Sequence, residues 1–149
     1  MKTDPAYELI NAVMATADAF LRESKRLFRP HGLSAAQFNL LNVVARSDGG
    51  LSQRELSEHL VVDRSNVTGL IDRMEKAGWV RRTDDPADRR IYRIVATPEG
   101  RALWTTVMPR YLEVVRQVTA AVSERKMRDT FAVLGELERA AAGWTLPAK

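Results

Sequence analysis

Apolar residues recur at steps of three and four along nearly the whole chain, and this rhythm breaks once, between Gly78 and Thr97. A three-to-four step puts the apolar side chains on one face of a helix. The single break confines extended structure to one short stretch, so the chain reads as mainly α. Asp4-Pro5 opens the first helix, with an acceptor at the N-cap and a proline at the first helical position. Leu9/Ile10, Val13/Met14, Ala17, Phe20/Leu21 and Leu27/Phe28 then share a face, until Arg29-Pro30-His31-Gly32 ends it. Ser34-Ala35-Ala36-Gln37 is a capping box for a second helix carrying Phe38, Leu40, Leu41, Val43 and Val44. Asp48-Gly49-Gly50 stops that helix. Ser52-Gln53-Arg54-Glu55 repeats the box for a short helix ending near Leu60. Asp63 is positioned to cap another, with Val67, Leu70, Ile71 and Met74 on one face and Gly78 after it.

Within the break, residues 79–83 and 90–95 are rich in β-branched and aromatic types, and the polar bridge 84–89 contains Pro86. That pattern predicts a two-stranded hairpin with a long tip. Thr97-Pro98-Glu99 restarts a helix bearing Leu103, Val107, Tyr111, Val114/Val115, Val118 and Val122. Ser123 caps a last one with Met127, Phe131, Leu134 and Leu137. The expected order is α-α-α-α-β-β-α-α.

Composition narrows the function. The chain has 149 residues and no cysteine, so disulfides, thiolate metal sites and cysteine nucleophiles are excluded, and a reducing cytoplasm is the expected setting. Neither a membrane-spanning apolar run nor a signal-peptide core is visible. The net charge of +4 leans toward nucleic acid. It is spread as +1, +1 and +2 over residues 1–48, 49–96 and 97–149. A DNA-facing surface must therefore come from the placement of a few groups. Arginine far outnumbers lysine, which suits forked contacts to phosphate or guanine.

The middle of the chain has the order of a helix–turn–helix followed by a β-wing: residues 52–60, a turn at Val61-Val62, and a second helix over 63–78. In that motif the N-terminal side chains of the second helix meet base edges in the major groove. Here they are Arg64, Ser65, Asn66, Thr68 and Gly69, and no glutamate follows Asp63 for two turns. The same residue types also make a plain helix start; the order of the neighbouring elements is what favours a DNA-facing helix. Asp88-Arg89-Arg90 at the wing tip can send an arginine into the minor groove, where negative potential is enhanced, or be a solvated turn. Asp88 is expected to fix the finger by accepting from Arg73 or Arg90. The candidate DNA-contacting residues are Ser52, Gln53, Arg54, Arg64, Ser65, Asn66, Thr68, Arg73, Arg89 and Arg90.

Leu33–Phe38, Leu51–Leu56, Val67–Glu75, Gly78–Arg82, Asp88–Arg90 and Ala96–Gly100 stand in an order and spacing that resemble the MarR family of bacterial transcription regulators. The resemblance runs through residues 33–103. It implies a winged helix–turn–helix over 33–96 and a helical dimerisation region from 1–32 and 97–149. It also implies a homodimer reading a near-palindromic duplex, and a repressor released by a small aromatic or phenolic ligand. Phe20, Leu21, Val114, Val118, Phe131 and Leu134 are candidates for the dimer face, or else for an intramolecular core. Arg90 resembles the family's wing arginine and Asp88 its supporting acid, while Gly69 departs from the commoner arginine. A ligand region could include Phe28, His31, Phe38, Trp104, Met108 and Tyr111, each of which also suits plain core packing. The cysteine-based peroxide-sensing branch of the family is excluded.

Two other classes compete with this reading. An enzyme finds only His31 and His59, far apart in sequence, and no phosphate loop, metal spacing or nucleophile motif, so no catalytic, metal or cofactor site is assigned. A winged-helix protein-interaction module needs neither the wing arginine nor the short polar face on the second helix.

Overall fold

The computed structural model describes residues 4–60, 64–88 and 90–145, with the backbone alone at 64 and 65. Along these residues run α1 (Pro5–Phe28), a 3-10 turn (Arg29–His31), α2 (Ala35–Ala45), β1 (Leu51–Ser52), α3 (Gln53–His59) and α4 (Arg64–Lys76). They are followed by β2 (Val80–Asp84), β3 (Tyr92–Ala96), α5 (Pro98–Thr119) and α6 (Glu124–Ala142).

The helix starts follow the side-chain chemistry. Asp4 Oδ1 accepts from the Ala6 N–H at 2.9 Å, and Ser123 Oγ accepts from Lys126. Ser34 with Gln37, and Ser52 with Glu55, form reciprocal capping boxes. Two helical stretches stop at glycines in the left-handed region, Gly32 at φ 70° and Gly78 at φ 76°. Past Gly78, the Trp79 N–H reaches back to Met74 O while Gly78 N–H bonds Glu75 O, the paired closure that a residue without Cβ permits. The cap expected from Asp63 and the turn at Val61-Val62 lie outside the described residues.

The expected wing hairpin is present as β2 and β3, and a strand not expected from sequence extends it to a three-stranded antiparallel sheet in the order β1-β3-β2. The extra strand, β1, pairs Leu51 with Ile94 and Ser52 with Arg93. Two residues are too few to display an alternation, so periodicity could not reveal it. Ser52 is both the last residue of this strand and the N-cap of α3, which ties the helix–turn–helix to the wing.

The main core is formed by Leu40, Leu41, Val44, Leu56, Val67, Ile71, Met74, Val80 and Ile94, from α2, α3, α4 and the sheet. Burying such side chains contributes about 1.5–3 kcal/mol each. The start of α5 is fitted to this body by Thr97-Pro98-Glu99-Gly100. Thr97 Oγ1 donates to Gly78 O at 2.6 Å and accepts from Gly100 N–H at 3.0 Å. A Cβ on Gly100 would fall on the carbonyl oxygen of Trp79. Arg101 Nη1 donates to Ala45 O at 2.9 Å and so satisfies the end of α2. The α5 helix runs through Pro109. Proline ordinarily breaks a helix; here it is exposed, so the i−4 carbonyl it leaves without a donor can bond water.

The chain divides into two compact units, Met1–Tyr111 and Leu112–Lys149. In the first, α1 leaves Tyr7, Ile10, Met14, Phe20 and Leu21 exposed. In the second, Val114, Val118, Phe131, Leu134 and Trp144 are exposed, Phe131 by 81%. All six residues proposed from sequence for the dimer face, Phe20, Leu21, Val114, Val118, Phe131 and Leu134, are exposed.

Gly100→Ala should destabilise the chain by about 1–3 kcal/mol, the usual range for overpacking, because the obstacle is backbone and cannot rotate away. Urea unfolding of the two proteins measures it; equal midpoints would contradict the close approach of α5 to Trp79.

Candidate nucleic-acid interface

Val67, Leu70, Ile71 and Met74 bury one side of α4, so Asn66, Thr68 and Arg73 are left exposed on the remainder. The α3 helix joins this surface at its first residue, where Gln53 Nε2 donates to Thr68 Oγ1 at 2.5 Å. Arg54 is exposed beside it and makes a loose 3.4 Å pair with Glu58 one turn on. Ser52 spends its hydroxyl oxygen on the Glu55 N–H. In return the Ser52 N–H, followed by its side chain, holds the Glu55 carboxyl below the usual carboxylate range. The side chains of Arg64 and Ser65, and all of Arg89, lie outside the description.

Two acids on α4, Asp72 and Glu75, would oppose a polyanion if left free. Both are taken by one residue of β2. Arg82 Nη2 donates to Asp72 Oδ1 at 2.5 Å, Arg82 Nη1 donates to Glu75 Oε2, and the Arg82 N–H donates to Glu75 Oε1 at 2.9 Å. The hydrogen bond to Asp72, then the one to Glu75, raises the guanidinium above its ordinary pKa. This arginine was missed from sequence. The available signal was strand alternation: Arg82 shares its face of β2 with buried Val80, and a charge on that face needs a partner.

The wing tip is built on another residue that sequence reasoning passed over. Asp85 is 9% exposed. Its Oδ1 accepts from Ala87 N–H at 2.8 Å and Asp88 N–H at 3.2 Å, and its Oδ2 takes Arg93 Nε at 2.7 Å. Arg93 Nη1 continues to Gly50 O at 2.7 Å. The Ala87 N–H, then the Arg93 guanidinium, lowers the Asp85 carboxyl below the ordinary aspartate value. The signal was Asp85-Pro86, an Asx-type turn start.

Asp88 accepts from Arg90 and not from Arg73, resolving the two partners expected for it. The Arg90 N–H and Nε bond Oδ1, each at 3.0 Å, and Nη2 bonds Oδ2 at 2.9 Å. These contacts lower the Asp88 carboxyl, the Arg90 side chain first and its N–H second. The Arg90 side chain remains 89% exposed, with the Nε–Nη2 edge of its guanidinium on Asp88.

The residues proposed for a ligand region mostly pack on each other. Phe28 and Phe38 stack at 4.4 Å, and Tyr111 lies 5.0 Å from Phe38. Met108 and Trp104 flank this cluster, and Trp104 Nε1 donates to Asn42 Oδ1 at 3.0 Å. His31 sits half-buried in the 3-10 turn that follows Phe28. An open cavity of about 300 Å³ is lined by Asn42, Val43, Arg46, Ser47, Leu51 and His59. Among the described residues no group of three His, Asp or Glu is placed to hold a metal ion. No described helix is long and apolar enough to cross a membrane.

A two-helix element with a polar outer face, flanked by an arginine-tipped three-stranded wing, defines the winged helix–turn–helix class. Residues 31–91 match the model of the MarR family. The HTH-type transcriptional regulator PecS of Dickeya dadantii (strain 3937) is 32% identical over 120 residues, 79% of this chain and 72% of PecS. The homoprotocatechuate degradative operon repressor of Escherichia coli is 26% identical over 125 residues, 84% of each chain. The structure of CouR from Rhodococcus jostii RHA1, bound to p-coumaroyl-CoA, matches with a TM-score of 0.78 and 25% identity. It covers 99% of this chain and 100% of CouR. The chain belongs to the MarR family of transcription regulators, whose members act by binding DNA and not by catalysis.

Asp85→Asn should lower stability at neutral pH, because the amide loses the ion pair with Arg93. The carboxylate's contribution is complete above its unfolded pKa of about 3.9 and is lost as pH falls through its lower folded value. The difference between the two proteins should therefore be largest near pH 7 and shrink below about pH 4. Urea unfolding at both pH values tests this, and a gap that widens in acid would contradict the assignment.

Proposed function

We propose that this protein is a homodimeric, sequence-specific DNA-binding repressor, acting on cytoplasmic DNA and released by a small aromatic or phenolic ligand. In this reading residues 33–96 form the DNA-binding domain, and 1–32 with 97–149 form the dimerisation region. The observation that carries it is electrostatic. The acids of α4 are both bound by Arg82, while Asn66, Thr68 and Arg73 are exposed. Arg90 extends from a tip braced by Asp85 and Asp88. Such a face is hospitable to a phosphate-lined groove and reads it with short polar groups.

Ser52, Gln53 and Arg54 approach from the start of α3, Arg64, Ser65, Asn66, Thr68 and Arg73 from α4, and Arg89 and Arg90 from the wing. A second copy covering the apolar faces of α1 and α6 supplies the two-fold partner. Two recognition helices so related read a near-palindrome with half-sites about one helical turn apart. The repressor and ligand parts are supported by the names of two relatives, one a repressor of an aromatic degradative operon and one holding an aromatic acyl-CoA. The aromatic cluster of Phe28, Phe38, Trp104, Met108 and Tyr111, near His31, is the first place for such a ligand to act.

Genomic fragments captured by the protein, titrated in gel shifts from about 50 to 200 mM salt, should lose affinity steeply as counterions are released. Arg90→Ala should weaken binding with an unchanged melting temperature, and phenolic acids should release the complex. Binding without sequence preference or salt dependence would instead favour a protein-interaction module. Diluting the protein should lower its melting temperature, since the folded state is linked to association. A melting temperature independent of concentration, with a monomeric mass, would reject the dimer.

A further inference from the structure

The middle of the outward side of α4 carries no side chain of its own. With Val67, Leu70, Ile71 and Met74 buried, the helical repeat of about 3.6 residues places Gly69 on the opposite side. A glycine in a helix interior is less stable there than alanine. It also lets a helix backbone approach a ligand closely.

The space above Gly69 is occupied by its neighbour one turn on. A Cβ placed on Gly69 would stand 3.3 Å from Arg73 Nη1, so the guanidinium lies back over the preceding turn. Helical side chains lean this way, toward the N-terminus of their helix. Arg73 is exposed. The two carboxylates near it in sequence, Asp72 and Glu75, are both held by Arg82. Among the described residues no acid forms an ion pair with Arg73. The result is a planar five-donor fork laid across bare backbone at the centre of the exposed face.

We propose that Gly69 and Arg73 form a single reading element, in which Arg73 is a specificity-determining residue whose fork takes N7 and O6 of a guanine in the major groove. The proposal rests on the DNA-binding reading above and adds the base. Phosphates border the groove, whereas the N-terminal part of a recognition helix meets base edges, and the Arg73 fork leans back toward that part over Gly69. Arginine donating twice to guanine is the commonest specific contact there. Gly69 serves by absence: it leaves the room in which the fork lies and brings the backbone close.

The test is selection from a random double-stranded DNA pool by the full chain, repeated with Gly69→Ala, Arg73→Ala and Arg73→Lys. The wild type should enrich half-sites containing a guanine favoured about 5- to 150-fold over other bases, the range of one good bidentate pair. Arg73→Ala and Arg73→Lys should both lose preference at that position and keep it elsewhere. Gly69→Ala, whose new methyl crowds the fork, should weaken the same position while the melting temperature holds or rises. Unchanged preferences in the variants would overturn the proposal, as would a uniform loss of affinity with a shallower salt slope, which marks a phosphate contact. A folded wild type that enriches no sequence would instead overturn the DNA-binding reading beneath it.

Discussion

Arg93 joins three parts of the molecule that are distant in sequence. From near the start of β3 it donates to the Asp85 carboxylate at the wing tip and to the Gly50 carbonyl before β1. Asp85 in turn collects the Ala87 and Asp88 N–H groups, and Ser52, two residues after Gly50, starts α3. One guanidinium therefore fixes the wing tip relative to the entry of the helix–turn–helix. Without it Asp85 Oδ2 and the Gly50 carbonyl would lose this donor, and a buried polar group left unpaired costs about 1–3 kcal/mol. Gly50, at φ 78°, approaches β3 so closely that a Cβ would strike the Ile94 carbonyl, which brings its own carbonyl within reach of Arg93.

The second organising contact is that of Arg82 with Asp72 and Glu75. It performs two tasks at once. Mechanically it links β2 to the C-terminal half of α4. Electrostatically its one positive charge offsets one of the two negative charges on α4 and holds both carboxylates in hydrogen bonds. The same residue thus connects fold to function, since moving the wing also moves the charge that masks the helix. The first turn of α4 carries no acid, whereas Asp72 and Glu75 further along are both bound by Arg82.

Much of this was legible in the residues. The caps at Asp4, Ser34, Ser52 and Ser123 act through neighbours two or three positions away, so the string of residues contains the whole interaction. The same holds for the stops at Gly32 and Gly78, where the need for a positive φ is local. The apolar stripes of α1 and α6 were visible because a helix repeats over many residues. The family resemblance was readable because its motifs recur in a fixed order. Less visible were β1, too short for any period, and the division of labour among Asp84, Asp85 and Asp88. Three aspartates in five residues look alike in a sequence; only the approach of Arg93 from the facing strand singles out Asp85.

The sequence by itself determined the order of the helices and of the wing hairpin, the helix starts and stops, the exclusion of cysteine chemistry and the candidate reading side chains. These depend on contacts within a turn or two and on residue type. Tertiary structure decided which acids are masked, which arginine meets Asp88, and that Phe28, Phe38 and Tyr111 fill space together. Each of these is set by distances between side chains brought together by folding, and an ion pair or a ring stack forms only where backbone positions bring its members within a few ångströms.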